Sequence, residues 1–201
     1  EFRRVLFRSL VNECVNNKPI WNYNGGMIDN RSETNLINSM KGVSFVSNFL
    51  MLNQPKKIIE TGTNYGSFGH ILYNELSDFE LHTCDIVDDS RRCVEFINNH
   101  YGKNNIKFYN QDSLEFLKNI YDESFDLAWL DSKHTYEHLI EELKIVGNMN
   151  IPNILVDDFS WIQDIQFAVF DFLKEYKNYT FHSYSNNNER IGSIVLLKLK
   201  K

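Results

Sequence analysis

Proline and cysteine are scarce in this chain of 201 residues, with three of each. The cysteines, Cys14, Cys84 and Cys93, are odd in number and show no CxxC spacing. That argues against a structural zinc site and fits free thiols in a reducing, cytoplasmic compartment. No apolar run approaches the roughly 20 residues that span a bilayer, so no membrane partner is expected. An excess of positive charge is also lacking. Against 27 acidic residues stand 21 Lys and Arg, for a net charge of −6. A nucleic-acid partner held through its phosphates is therefore not expected. What remains, 42% hydrophobic and 24% charged residues, fits a soluble globular chain with one substantial core.

Two phosphate-binding signatures are missing as well. The most informative stretch is Lys57–Gly69, where Ile58 and Ile59 run into Glu60 and then into Gly62, Gly66 and Gly69. A GxGxxG fingerprint needs glycine two residues after the first, and Asn64 stands there. No GK[ST] follows, so this is not a Walker loop. It reads as a buried strand turning through glycines into a helix, a place where a ligand meets backbone N–H groups.

From Lys57 onward strand and helix signals alternate. Strands are expected at Lys57–Glu60, Glu80–Asp85, Ile106–Asn110, Phe125–Asp131 and Ile154–Asp157. Helices are expected at Ser67–Leu76, Ser90–Asn99, Ser113–Ile120, Thr135–Val146 and Trp161–Glu175. Such repeats predict a doubly wound α/β chain with a parallel sheet covered on both faces. Tyr179–Tyr184 and Ser193–Leu199 are strand-like, with only the polar loop Ser185–Arg190 between them. They should close a seven-stranded, mostly parallel sheet as an antiparallel hairpin. Residues 1–56 read as an N-terminal cap or entry segment. Within it Trp21–Gly26 is a loop signal and Thr34–Leu52 is helical, with Leu36, Met40, Val43 and Phe49 as packing residues. The first nine residues, EFRRVLFRS, read as a cloning or assembly scar rather than a signal peptide.

The acids cluster where strands end. Asp85 closes the second strand, 25 positions after Glu60, and a carboxylate there suits a ribose diol. Asp112, with Glu115 three residues on, resembles a capping box for the next helix. Asp131 ends the run LAWLD, and Asp157 and Asp158 end ILVDD. Neighbouring parallel strands would bring these three carboxylates together. They would repel unless protonated or bridged by a hard cation such as Mg²⁺. Turn formation or N-capping is the bland alternative, but Ser160-x-x-Gln163 already offers a capping box for the following helix. His134, three residues beyond Asp131, suits proton abstraction beside such a site, with Lys133 as the competing base. His70, His82, His100, His138 and His182 have no comparable context and read as structural or exposed.

ETGTNYG with the acid at 85 resembles the first motifs of class I S-adenosylmethionine-dependent methyltransferases. The segment LDSKHTYEHLIEEL resembles the D-G-x-H-x-Y pattern of the macrocin-type sugar O-methyltransferases. Together with VDD it also resembles catechol O-methyltransferase. The resemblance spans about Lys57–Lys201 and implies a Rossmann-like S-adenosylmethionine-binding domain there. It implies that Glu60, Gly62, Gly66 and Ser67 hold the amino-acid part of the cofactor, and that Asp112 and Ser113 lie against the adenine. It implies that Asp131, Asp157 and Asp158 hold Mg²⁺. In the catechol enzymes a lysine stands at the place of His134 and acts as base. Two positions depart from the pattern: Ser132 replaces the usual Gly, and Asp158 replaces the Asn of the catechol enzymes. The implied reaction is methylation of a hydroxyl on a sugar, catechol-like or other small metabolite, and a homo-oligomer stays open. Three other readings stand beside it: a metal-independent methyltransferase, a non-catalytic S-adenosylmethionine-binding protein, and a nicotinamide-dependent oxidoreductase.

Overall fold

The computed structural model describes residues 45–121, 123–160, 162–183 and 194–200. The expectations for residues 1–44, for Trp161 and for the Ser185–Arg190 loop lie outside them. The chain divides into two compact units at Ser39/Met40, and every described residue belongs to the second.

Residues 45–53 form helix α1. Then follow β1 (Lys57–Thr61), α2 (Ser67–Glu75), β2 (Glu80–Asp85), α3 (Ser90–Tyr101), β3 (Ile106–Asn110) and α4 (Ser113–Asn119). The second half runs β4 (Leu127–Leu130), α5 (Tyr136–Asn148), β5 (Asn153–Val156), α6 (Gln163–Glu175), β6 (Tyr179–Ser183) and β7 (Val195–Leu199). The seven strands order as β3-β2-β1-β4-β5-β7-β6. The pairs from β3 through β5 are parallel, whereas β7 runs antiparallel to both β5 and β6. The closing hairpin is therefore present, with β7 inserted beside β5.

Alternation along each strand explains the layers. Ile58, Leu127, Trp129 and Leu155 face one side, where they pack with Val46, Phe49 and Leu50 of α1, Phe68 and Leu72 of α2 and Ile97 of α3. Ile59, Ala128, Leu130, Ile154 and Val156 face the other, against Phe116 and Leu117 of α4, Leu143 and Val146 of α5 and Phe172 of α6. Successive side chains of a strand point to opposite faces, so a strand buried on both reads as a continuous apolar run. Phe49 is thus a core residue of the layer that holds α2 and α3.

Several expected element ends shift by one or two residues, and those around β4, β5 and α6 bear on the site. β4 is shorter than Phe125–Asp131, and β5 ends at Val156 rather than at Asp157. Helix α6 begins at Gln163, with Ile162 at its N-cap position and no side-chain cap. The Ser160–Gln163 capping box does not form. Asp158 takes a left-handed backbone (φ 55°), and the Ile162 N–H bonds back to the Asp158 carbonyl at 3.2 Å. This turn carries the chain past Ser160 before the helix starts.

Strand order reverses around β1, between β2 and β4. Ligands of open α/β sheets bind in the crevice beyond the carboxyl ends of strands at such a switch point. The loops after β1, β2, β3, β4 and β5 all emerge at that edge.

Candidate active site

The glycine loop after β1 is built by backbone bonds to its neighbours. The N–H groups of Gly62 and Thr63 both donate to the Cys84 carbonyl, at 2.9 and 3.0 Å. Asp131 N–H donates to the Thr61 carbonyl at 2.9 Å, which draws the end of β4 against the loop. Gly62 has φ 86°, and a Cβ on it would lie 2.0 Å from the Asp131 carbonyl oxygen. Glycine is required there twice over, by conformation and by the close approach of two backbones. Gly66 (φ 72°) caps α2 without a side chain, and Ser67 is exposed at the first helical position. The N–H groups of a first helical turn have no intrahelical partner and favour a carboxylate or other anion. Gly69, by contrast, makes room for Ile106, so its role is packing.

Glu60 lies beneath this loop, 2% exposed. The Thr83 hydroxyl donates to Glu60 Oε2 at 2.5 Å, and Thr63 lies 2.6 Å from Thr83, hydroxyl to hydroxyl. Burial pushes the Glu60 carboxyl up to about 8, against the lowering effect of Thr83. Burial thus biases Glu60 toward its neutral form, placed to support the loop from below.

Asp85 clamps two loops. Asn64 N–H donates to its Oδ2 at 2.8 Å and Val87 N–H to its Oδ1 at 2.9 Å. A carboxylate has about four lone-pair positions, so two remain for a ligand's hydroxyls. Asp112 is the N-cap of α4, accepting from Leu114 N–H at 2.9 Å, and it stays exposed. Asp112 therefore caps the helix through the Leu114 N–H, not the Glu115 N–H of a capping box. Ser113 is buried, with its hydroxyl turned to His138.

At the ends of β4 and β5 the acids converge as the parallel register predicts. Asp131, His134 and Asp158 bring ligand atoms within 4.8 Å of one another. His134 Nε2 lies 3.2 Å from Asp131 Oδ1, and its Nδ1 lies 3.5 Å from Asp158 Oδ2. Burial pushes Asp131 up to about 7, helped by the charges of Asp157 and Asp158 and opposed by His134. Burial raises Asp158 too, with Asp157 adding to it. The hydrogen bond to Asp131 raises the His134 imidazole above its ordinary value. Asp157 stands one step aside, with its Oδ1 accepting the Asp158 N–H at 2.8 Å. The tight group is thus Asp131, His134 and Asp158, rather than the three carboxylates alone. Lys133 is exposed. Phe159 turns away into a trio with Phe170 and Phe181, at ring separations of 5.4–5.8 Å.

Sequence reading passed over several residues that shape this site. His138 lies 2.7 Å from Ser113 Oγ, and Glu142, buried on α5, accepts the Ser132 hydroxyl at 2.7 Å. A readable signal existed: Glu142 is an acid on the apolar stripe of Leu139, Leu143 and Val146, where a partner is obligatory.

The family of methyltransferase domains matches residues 59–158, a span that runs from the glycine strand to the Asp157-Asp158 pair. No curated protein matches the chain. Among solved structures, an O-methyltransferase from Bacillus cereus in complex with S-adenosylhomocysteine (SAH) is similar at a TM-score of 0.67 and 14% identity, over 81% of both chains. The O-methyltransferase TomG of Streptomyces achromogenes, in complex with S-adenosylmethionine, matches at 0.66 and 16% identity, over 81% of this chain and 80% of that one. The SAH-bound methyltransferase PaMTH1 of Podospora anserina matches at 0.64 and 17% identity, over 81% and 79%. Identities this low carry the fold, while the family match covers the glycine loop and the acids at the ends of β2, β4 and β5. Among the described residues no helix is long and apolar enough to cross a membrane. By that match residues 59–158 form a methyltransferase domain, and by that likeness its fold is the Rossmann-like one of solved O-methyltransferases.

Proposed function

We propose that the chain methylates a hydroxyl group of a small molecule, with a divalent cation such as Mg²⁺ at the β4–β5 edge. The observation that carries this reading is the convergence of Asp131, His134 and Asp158 beside the glycine loop. The donor set fits a cation: crowded carboxylates whose protons are held by burial and mutual repulsion. Carboxylate oxygens suit a hard divalent ion, and they leave the His134 imidazole free to act as a base. The same acidic rim suits a cofactor that carries a sulfonium charge.

When bound, S-adenosylmethionine supplies the methyl group, and the cation supplies Lewis acidity that lowers an acceptor hydroxyl's pKa. Asp131 and Asp158 would hold the cation, with Asp157 close enough to add its charge. His134 takes the acceptor's proton. Its raised pKa comes first from Asp131 and then from Asp158 and Asp157, so with their charge neutralised it returns toward the ordinary value suited to a base near pH 7. The first turn of α2, including Ser67, receives the cofactor's carboxylate. Asp85 takes the ribose hydroxyls on the lone pairs left over from Asn64 and Val87, and Asp112 and Ser113 border the adenine. Rigid backbone bonds among the β1, β2 and β4 ends keep these groups in register, and alignment of this kind is worth up to roughly 7–11 kcal/mol of a transfer barrier.

Calorimetry with SAH, with and without Mg²⁺, on wild type, Asp131→Asn and Asp158→Ala tests the site. A radiolabelled-methyl assay on a panel of hydroxylated sugars and catechols, with and without a chelator, tests the reaction. We expect SAH binding by wild type and chelator-sensitive transfer that both variants lose. Absence of SAH binding by wild type refutes the reading, and transfer indifferent to chelator refutes the cation's part in it.

A further inference from the structure

Behind the crevice lies a group of side chains that meets the site described above only through Ser113. Glu142 of α5 is 1% exposed. A carboxylate so buried is costly unless hydrogen-bonded and offset in charge. Ser132 donates its hydroxyl to Glu142 Oε1 at 2.7 Å. His138, one turn earlier on α5, places Nε2 3.6 Å from that oxygen and 2.7 Å from Ser113 Oγ. Ser113 Oγ in turn is oriented to donate to Ser132 Oγ at 3.5 Å. Polar atoms close into a ring: His138 Nε2 against Ser113 Oγ, Ser113 O–H to Ser132, and Ser132 O–H to Glu142. The ring is completed by His138 Nε2, which also faces Glu142 Oε1. Glu142 raises the His138 pKa, Asp112 adds to it and Lys133 opposes it.

This ring ties two loops that flank the crevice. Ser113 directly follows the Asp112 cap at the end of β3. Ser132 directly follows Asp131 and precedes His134. A glycine at 132, as in the pattern this segment resembles, would have no hydroxyl to make the tie.

We infer that Glu142 is a positioning residue: through Ser132, and through His138 and Ser113, it holds the Asp131–His134 loop and the Asp112–Ser113 turn in one register, so that cofactor and acceptor sites are set together. The inference rests on the crevice being the methyl-transfer site. An acid serving only to fill space would be replaced by leucine with the flanking loops undisturbed, although the loss of one partner of a buried pair has a cost of its own. A positioning acid would not.

Hydrogen exchange of the full chain without ligand, followed at amides 111–116 and 131–136, reads the ring whether or not the methyl-transfer reading holds. In Ser132→Ala and Glu142→Leu, exchange is expected to quicken in both segments. Glu142→Gln keeps an acceptor for Ser132 and should quicken it less. A change in Ser132→Ala confined to 131–136, or no change in either segment, overturns the inference. If Glu142→Leu fails to fold, Ser132→Ala and Glu142→Gln carry the test. SAH calorimetry on the same proteins should show affinity weakened about tenfold in Ser132→Ala and Glu142→Leu, the usual scale for losing a partner behind a ligand-binding group. Glu142→Gln should restore part of it. Equal SAH affinity in wild type and all variants overturns the coupling of the two sites. A wild type that binds no SAH strikes the functional reading instead, and the exchange result still decides the ring.

Discussion

Glu60→Gln isolates the electrostatic strain under the glycine loop. The Glu60 carboxyl is raised from 4.5 to about 8, first by burial and then by Asp131 and Asp85. A raised folded-state value means that the folded chain binds a proton the unfolded chain has released. Stability from this group is therefore full below about pH 4.5, declines as pH rises, and is lost as pH passes about 8. The decline amounts to ~1.4 kcal/mol per pH unit, or roughly 3 kcal/mol between pH 4.5 and 7. Glutamine imitates the neutral acid and does not titrate. Its amide adds an N–H₂ with no ready partner, at a pH-independent cost of about 1–3 kcal/mol. The absolute difference between variant and wild type thus mixes two effects, but its slope with pH has one source. Urea unfolding of both proteins at half-unit steps from pH 5 to 9 measures it. Glu60→Gln should gain on wild type by ~1.4 kcal/mol per unit up to pH 7.5 and level off above 8. Contributions from Asp131, Asp158 and the histidines largely cancel in the difference. A difference that stays flat across this range would show that Glu60 is ionised in the folded chain, and the account of the loop's foundation would fail.

Three further substitutions probe the site. Gly62→Ala places a Cβ on the Asp131 carbonyl at a positive φ, so thermal unfolding should reveal a loss well above the ~1 kcal/mol of simple glycine replacement. A near-neutral melting temperature would contradict the close approach of the β1 and β4 loops. His134→Asn should lower kcat by about 10²–10⁴ while Mg²⁺ affinity changes only a few-fold, as loss of a base predicts. The opposite split, weak metal binding with kcat restored at saturating Mg²⁺, would make His134 a ligand. Asp158→Gly relieves a left-handed residue and should leave stability equal or up to ~1 kcal/mol higher, while chelator-sensitive transfer is abolished. Retained transfer would remove Asp158 from the site.

Local signals and long-range ones were unequally legible in the sequence. Ile58-Ile59 and Leu127–Leu130 are apolar on both faces because helices cover both, and that demand survives in a bare sequence. Positive φ at Gly62 and Gly66 is likewise written in the residue type. Asp85 and Asp131 were found because topology alone sends the ends of parallel strands to one edge. The turn at Asp158 left no such mark: aspartate tolerates a left-handed backbone without announcing it, and Ser160-x-x-Gln163 looked like a cap that the turn then bypasses. The three-residue spacing put His134 beside Asp131, while its reach to Asp158 across the ends of β4 and β5 is not encoded in spacing. Glu142 lies between these extremes. Its helical phase put it on the apolar stripe, so burial was deducible, and burial of a carboxylate implies a partner. Which partner depends on Ser132, a departure from the glycine of the related pattern. The hydroxyl that looked like an anomaly in the loop and the acid that looked misplaced on the helix are two halves of one hydrogen bond, and each explains the other.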